Sequence, residues 1–124
     1  MRDGYSKVAF GDYCEIWMSD DALGVYRNAP PNDRARAERI MDTLCTEGPE
    51  NLTPKQFNRE GRHPNGKPDG KKMAVFAIKS YQLRVYGGWV RGALLVFECP
   101  EATIKKQKTA DQNQLKRVAK KIGD

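Results

Sequence analysis

The feature that most constrains the fold is a group of three apolar, β-rich segments in the second half of the chain. They cover residues 73–78, 82–86 and 93–97, and the connections between them are three and six residues long. Connections this short cannot hold the helix that a parallel crossover requires. The three segments are therefore predicted to form an antiparallel meander, with a hairpin turn at Gly87-Gly88.

The longest helical pattern precedes this meander. Apolar residues recur at i, i+3, i+4, i+7 and i+8 from Ala37 to Cys45, and charged residues occupy the other face. This spacing predicts an amphipathic helix that has Asn32 or Asp33 as its N-cap and ends at Gly48. The elements predicted upstream of it are a strand at residues 14–18 and a helical turn at residues 23–26.

Two capping-box patterns mark further helix starts. The pattern at residues 53–56 predicts a short helix that buries Phe57, and the pattern at Thr109 opens a helix with one apolar face. Residues 61–72 contain seven Gly, Pro, Asn or Asp residues in twelve and are predicted to form a loop. Residues 1–124 are thus expected to form one α+β domain, in which an antiparallel sheet packs on helices on one face and is open on the other.

The charge of the chain is unevenly distributed. The 124 residues include 22 basic and 16 acidic side chains, which gives a net charge of +6. Residues 1–62 hold 9 basic and 11 acidic side chains (−2), whereas residues 63–124 hold 13 and 5 (+8). This asymmetry predicts that the second half meets a polyanion or an acidic protein. The alternative is a solvated lysine surface.

Composition also argues against several classes of protein. No apolar run approaches the roughly 20 residues of a membrane span, and the N-terminus lacks the features of a secretory signal. A cytoplasmic protein without a membrane partner is expected. The three cysteines and one histidine lack metal-ligand spacing, and no nucleotide-binding or nucleophile motif is present. The cysteines are expected to be buried thiols, and no metal, other cofactor or small-molecule ligand is expected.

Strand alternation selects the first candidate site residues. If Leu83 and Val85 point to the core, then Arg84 and Tyr86 point to the other face of the strand. A guanidinium in a central strand must be paired or solvated, and its planar fork suits a phosphate. The alternative is a simple ion pair between Arg84 and a surface carboxylate.

The segment 61–72 supplies the second group of candidates. It precedes the first strand of the meander, and its glycine-rich, basic composition is typical of a phosphate cradle beside Arg84. His63 has an unperturbed pKa near neutrality, which suits a general acid or base; the alternative is a solvated histidine. The basic residues of this segment are Arg62, Lys67, Lys71 and Lys72, and a further basic cluster at Lys105, Lys106 and Lys108 follows the last strand.

Three of these segments resemble a known family. Leu-Arg-Val-Tyr at residues 83–86, the apolar segment 92–97 and Ile-Lys-Lys-Gln-Lys at residues 104–108, before a lysine-rich helix, are similar to the RelE/ParE superfamily of toxins from bacterial toxin–antitoxin systems. The HigB-like branch is the most similar. The resemblance covers approximately residues 53–121. It implies a small RelE-like domain and a metal-independent endoribonuclease that cleaves mRNA on the ribosome and is silenced by an acidic antitoxin.

The resemblance also implies roles for individual residues. Arg84 would stabilise the charge of the transition state while the ribose 2′-hydroxyl attacks the adjacent phosphate. His63 or Lys72 would transfer protons, and Tyr86 would stack on a base or donate a hydrogen bond. The residues expected to contact RNA are Arg62, Lys67, Lys71, Arg91, Lys105, Lys106 and Lys108.

The sequence departs from the family pattern in one respect. Several ribonuclease members carry a tyrosine or aspartate near the C-terminus that completes the site, but residues 107–124 contain no aromatic residue. Two alternatives therefore stay open. One is a non-catalytic inhibitor of DNA gyrase of the ParE type, and the other is a basic nucleic-acid-binding module.

Overall fold

The computed structural model describes residues 2–105 and 111–123. Its strands form one six-stranded sheet with the order β1-β2-β6-β5-β4-β3. Strand β2 is parallel to β6, and the other neighbours are antiparallel. The elements are β1 (Tyr5–Phe10), β2 (Glu15–Ser19), α1 (Asp20–Asn28), α2 (Pro31–Glu47), β3 (Phe57–Pro64), β4 (Lys72–Ser80), β5 (Leu83–Arg91), β6 (Leu95–Ile104) and α3 (Gln112–Lys121), with a 3₁₀ turn at Pro49–Asn51.

The α+β class and the C-terminal helix are confirmed, but the prediction of a purely antiparallel sheet is wrong. The meander itself is antiparallel, as its short connections require. The parallel pair arises because β2 lies beside β6 in the sheet, while α1 and α2 carry the chain from β2 to β3 at the far edge. The sheet is therefore mixed.

The prediction that helices cover one face of the sheet is also wrong, because there are two apolar cores. One core contains α1 and α2 side chains together with Leu83 and Val85 of β5. The other contains Tyr86 of β5 together with Leu115 and Val118 of α3. Adjacent residues of β5 thus enter opposite cores, and α3 covers part of the face that was expected to be open.

The segment between α2 and β4 also differs from its prediction. The Gln56 side chain accepts a hydrogen bond from the Thr53 backbone N–H (2.9 Å), as a capping box would, but the chain enters β3 at Phe57 instead of forming a helix. The predicted loop 61–72 is confirmed only for residues 65–71, which form the hairpin connection; residues 61–64 belong to β3 and Lys72 begins β4. A bulge at Gly61, which has φ = 136°, accommodates the glycine inside the strand.

The glycine pair at the centre of β5 is not a hairpin turn. A Cβ atom on Gly87 would lie 2.5 Å from the carbonyl oxygen of Glu98, and one on Gly88 would lie 2.5 Å from Cδ1 of Ile122. The two glycines therefore let β6 and α3 approach the strand closely.

The start of α2 shows a further difference. Neither Asn32 nor Asp33 caps this helix, which begins at Pro31, a favourable first position for proline. Asp33 is buried, where its carbonyl accepts from the Ser80 hydroxyl (2.6 Å) and its carboxylate from the Gln82 N–H (3.3 Å). The predicted end of α2 at Gly48 is confirmed. The predicted strand at residues 14–18 is confirmed as β2, and the predicted helical turn at residues 23–26 is confirmed as part of α1.

Two sequence-based expectations concern the chain as a whole. Cys14, Cys45 and Cys99 are buried free thiols, as predicted. Among the helices of the described residues, none combines the length and the apolar character that crossing a membrane requires.

Candidate functional site

A row of polar side chains crosses the sheet at the end where β5 begins, on the face that α3 partly covers. Arg84 lies opposite Lys79 of β4 and opposite Thr103 of β6. Residues opposite each other on neighbouring antiparallel strands project to the same side. Lys105, two residues beyond Thr103, lies within electrostatic reach of Arg84 and Lys79. Because like charges directly opposite each other destabilise a sheet, the Lys79 and Arg84 pair requires a compensating negative charge.

One carboxylate accompanies these cations. Glu60 Oε1 lies 3.0 Å from Lys79 Nζ, and both side chains are largely buried. Glu60 sits at the β3 bulge, where the register of β3 against β4 shifts between Arg59 and Gly61. The formal charge of Lys79, Arg84, Lys105 and Glu60 is +2. We call these four residues the cationic cluster.

Arg84 is held by the backbone of its own strand. Its Nη1 donates to the carbonyl oxygens of Tyr81 and Leu83, while its Nε is buried and has no hydrogen-bond partner. Within the described residues no carboxylate forms an ion pair with Arg84, so the simple surface pair considered from the sequence is not present there. The guanidinium is thus fixed in place on a half-buried side chain, and the planar fork of such a group suits an anion.

The cluster changes the proton affinity of Lys105. Burial lowers the pKa of Lys105, the positive charges of Arg84 and Lys79 lower it further, and Glu60 opposes the shift. A lysine with a lowered pKa transfers its proton closer to neutral pH than an ordinary lysine does. Lys105 is therefore better suited than a solvated lysine to act as an acid or base.

Tyr86 lies in the next row, where α3 covers the sheet. Burial raises the pKa of its hydroxyl, and the charges of Glu60 and Asp111 raise it further, against the effect of Arg84. The residue is 2% exposed, so its ring offers no free face on which a base could stack. Stacking on a base, one of the two roles expected for Tyr86, is therefore excluded by this position.

The start of α3 lies beside the same rows. Asp111 caps the helix by accepting from the backbone N–H groups of Asn113 (2.9 Å) and Gln114 (3.3 Å). The Gln114 side chain contacts Glu101, which lies opposite Tyr86 in the ladder. The N-terminus of α3 therefore lies beside the row that contains Tyr86, and the Asp111 carboxylate complements the positive end of its dipole.

The other predicted site residues lie at the opposite end of the strands. His63 is opposite Met73, whereas Arg84 is opposite Lys79, and these two positions of β4 are separated by six residues, or about 20 Å. The expectation that segment 61–72 and Arg84 share one edge is therefore wrong, because the hairpin is at the far end of β4. The remote residues are Arg62, His63, Lys67, Lys71, Lys72 and Arg91; Lys106 and Lys108 lie outside the described residues.

Two members of the cluster, Lys79 and Glu60, are not among the residues predicted from the sequence. Lys79 directly follows the predicted strand 73–78, and extending that strand by one residue places Lys79 on the face opposite Ile78. No local signal could have identified Glu60, since its position depends on the long-range pairing of β3 with β4 and on the bulge.

In the part of the chain that the structure describes, no three His, Cys, Asp or Glu side chains are close enough together to hold a metal ion. Comparison of the chain with protein-family models, with curated proteins and with solved structures finds no significant match. The cationic cluster combines a fixed guanidinium, a lysine with a lowered pKa and a single carboxylate, and its net positive charge suits an anionic ligand.

Proposed function

We propose that this protein is a metal-independent endoribonuclease of the RelE/ParE type, close to the HigB-like branch, and the toxin of a toxin–antitoxin pair that cleaves ribosome-bound mRNA. The observation that supports the proposal most is the row of Lys79 and Arg84 beside Lys105, in which Arg84 is fixed and lacks a carboxylate partner among the described residues. An acidic antitoxin is the expected partner that would cover this surface.

The chemistry requires three functions. The ribose 2′-oxygen forms a bond to the adjacent phosphorus while the bond from phosphorus to the 5′-oxygen breaks, which leaves a 2′,3′-cyclic phosphate and a 5′-hydroxyl. Arg84 stabilises the charge that builds up on the phosphoryl oxygens. Glu60 accepts the proton of the 2′-hydroxyl, and Lys105 donates a proton to the departing 5′-oxygen. These two residues replace His63 and Lys72, which are too remote for proton transfer at the cluster.

A non-catalytic role is the second candidate. The ring of Tyr86 is buried, and the sequence of residues 107–124 contains no aromatic residue of the kind that several ribonuclease members carry near the C-terminus. These observations favour a protein that binds without cleaving, either a ParE-like inhibitor of DNA gyrase or a basic nucleic-acid-binding module.

Induced expression in bacteria tests the proposal against these alternatives. Wild type and Arg84→Ala are compared with Arg39→Ala, which removes an exposed arginine from α2 on the other side of the sheet. The proposal predicts growth arrest and new mRNA 5′ ends inside codons for wild type and Arg39→Ala, and neither for a folded Arg84→Ala. Arrest with intact mRNA and damaged DNA would support gyrase inhibition, and the absence of arrest would leave a binding module.

A further inference from the structure

The cations of α3 fall into two groups that differ in their partners. Arg117 and Lys121 both donate to the Glu101 carboxylate, at distances of 2.9–3.2 Å. Lys116 and Lys120, one helical turn apart, are exposed and form no ion pair with a described residue. They lie on the same side of the helix. The first group stabilises the fold, whereas the second is available to a partner.

Lys120 connects α3 to the hairpin between β3 and β4. Its Cγ lies 3.1 Å from the position that a Cβ atom of Gly66 would occupy, so its aliphatic part covers the tip of the hairpin. The row of Lys116 and Lys120 therefore faces the β3 side of α3. It runs along α3, which begins beside the row that contains Tyr86, and reaches the hairpin at Lys120.

The hairpin has a fixed shape and a positive surface. The Asp69 carboxylate accepts from the Lys71 backbone N–H (2.9 Å) and from the Asn65 side chain (3.2 Å), and these bonds lower the pKa of Asp69. Its one acidic group is thus engaged within the turn, while the side chains of Lys67 and Lys71 are exposed. The formal charge around the hairpin is +5, from Arg62, Lys67, Lys71, Lys72, Lys116 and Lys120 against Asp69.

We propose that Lys116, Lys120, Lys67 and Lys71, the basic stripe, hold the RNA strand that is cleaved at the cationic cluster. This inference rests on the proposed function. The cluster and the hairpin lie at opposite ends of β4, more than about 20 Å apart, a distance that only a strand with several consecutive phosphates spans. The separation exceeds the Debye length of about 8 Å at physiological salt, so the two positive regions attract phosphates independently. A strand must be long enough to reach both.

Binding of non-cleavable RNA tests this inference apart from catalysis. Fully 2′-O-methylated oligonucleotides of two and about 12 nucleotides are compared, because a dinucleotide with its single internucleotide phosphate cannot span the separation, whereas the longer strand can. The variant is Lys116→Glu with Lys120→Glu, and its charge-matched control is Arg27→Glu with Arg39→Glu on the opposite side of the sheet. A second variant, Lys67→Gln with Lys71→Gln, leaves α3 unchanged if the first one fails to fold.

The stripe predicts a selective loss. The affinity of the longer strand falls about tenfold in either variant, and its logarithmic salt slope decreases by about 1.4, or 0.7 for each lost contact. The short strand and the control are unaffected. If both strands lose affinity equally, or if the longer one loses none, the stripe is contradicted while the proposed function stands. If wild type binds neither strand, both proposals are contradicted.

Discussion

His63 and Arg84 face the same side of the sheet but lie about 20 Å apart, because they pair with positions six residues apart on β4. His63 lies opposite Met73, which packs against the α3 core. This separation divides the residues selected from the sequence into two groups. Arg84 belongs to the proposed cleavage centre with Lys79, Lys105 and Glu60, whereas His63 belongs to the remote basic end.

The separation predicts that His63 is dispensable for cleavage. Proton transfer requires hydrogen-bond contact with the substrate, which His63 cannot make from the far end of the strands. His63→Ala should therefore cleave RNA within about threefold of wild type, whereas Glu60→Gln should be slower by about 10²–10⁴. Single-turnover rates of the purified variants measure both effects. A hundredfold loss in His63→Ala alone would place the centre at the hairpin instead.

The lowered pKa of Lys105 predicts the pH dependence of cleavage. As a general acid Lys105 is active when protonated, so the rate should fall as the pH rises through its pKa, which lies below the ordinary 10.5. Lys79→Met removes one of the positive charges that lower the pKa of Lys105. It also removes the ion-pair partner of Glu60, whose negative charge raises the pKa of Lys105. The alkaline limb of the profile of kcat/KM against pH should therefore move to higher pH. A limb that does not move would exclude Lys105 as the acid.

Glu101 predicts a pH-dependent contribution to stability. Burial raises the pKa of Glu101, but the hydrogen bonds from Arg117 and Lys121 outweigh burial, so the pKa in the folded protein lies below the ordinary 4.5. The stabilisation is complete above the unfolded pKa and is lost as the pH falls through the folded one. Glu101→Gln should lower the free energy of unfolding by about 1–3 kcal/mol at pH 7 and by much less at pH 3.

Urea denaturation at both pH values measures this difference. Glu50→Gln, at an exposed position outside α3, is the control and should change stability little at either pH. An equal loss for Glu101→Gln at pH 7 and pH 3 would show that the carboxylate charge does not contribute.

The close approach of β6 predicts that Gly87 cannot be replaced. A Cβ at this position meets the backbone carbonyl of Glu98, which cannot move without breaking the ladder, so Gly87→Ala should cost about 1–3 kcal/mol. Gly92 is the control, since nothing lies within 4 Å of a Cβ placed there and its φ is not positive. Thermal unfolding of the two alanine variants compares them, and equal midpoints would contradict the packing at Gly87.

Local patterns in the sequence were sufficient to predict those helices and strands that depend on neighbouring residues alone. The apolar periodicity of α2 and the short connections of the meander predicted those elements, with the turn at Gly87-Gly88 as the exception. The amphipathic pattern of α3 predicted a helix but could not show which face of the sheet it covers, since that choice depends on the second core around Tyr86. The glycine and proline content of segment 61–72 predicted that a loop begins at residue 61. The loop begins only after Pro64, because Gly61 occupies a bulge within β3.

Only the part of the candidate site that depends on a local pattern was predicted from the sequence. Arg84 follows from the alternation within its own strand, which a sequence shows directly. Arg84 lies opposite Lys79 because of the register between β4 and β5. Lys79 contacts Glu60 because of the register between β3 and β4, which is a long-range pairing that the sequence does not show. The remote position of His63 depends on the same register.

The most direct test of the proposed chemistry is the cleavage of a short RNA by purified protein in the presence of a chelator. Wild type should produce 2′,3′-cyclic phosphate and 5′-hydroxyl ends, and a single 2′-deoxy substitution at the cleavage position should block the reaction. Arg84→Ala should be slower by about 10²–10³ while its affinity for the RNA changes only a few-fold, since the guanidinium acts mainly on charge that develops in the transition state. Cleavage by Arg84→Ala at the wild-type rate, or cleavage of the deoxy-substituted strand, would contradict the account.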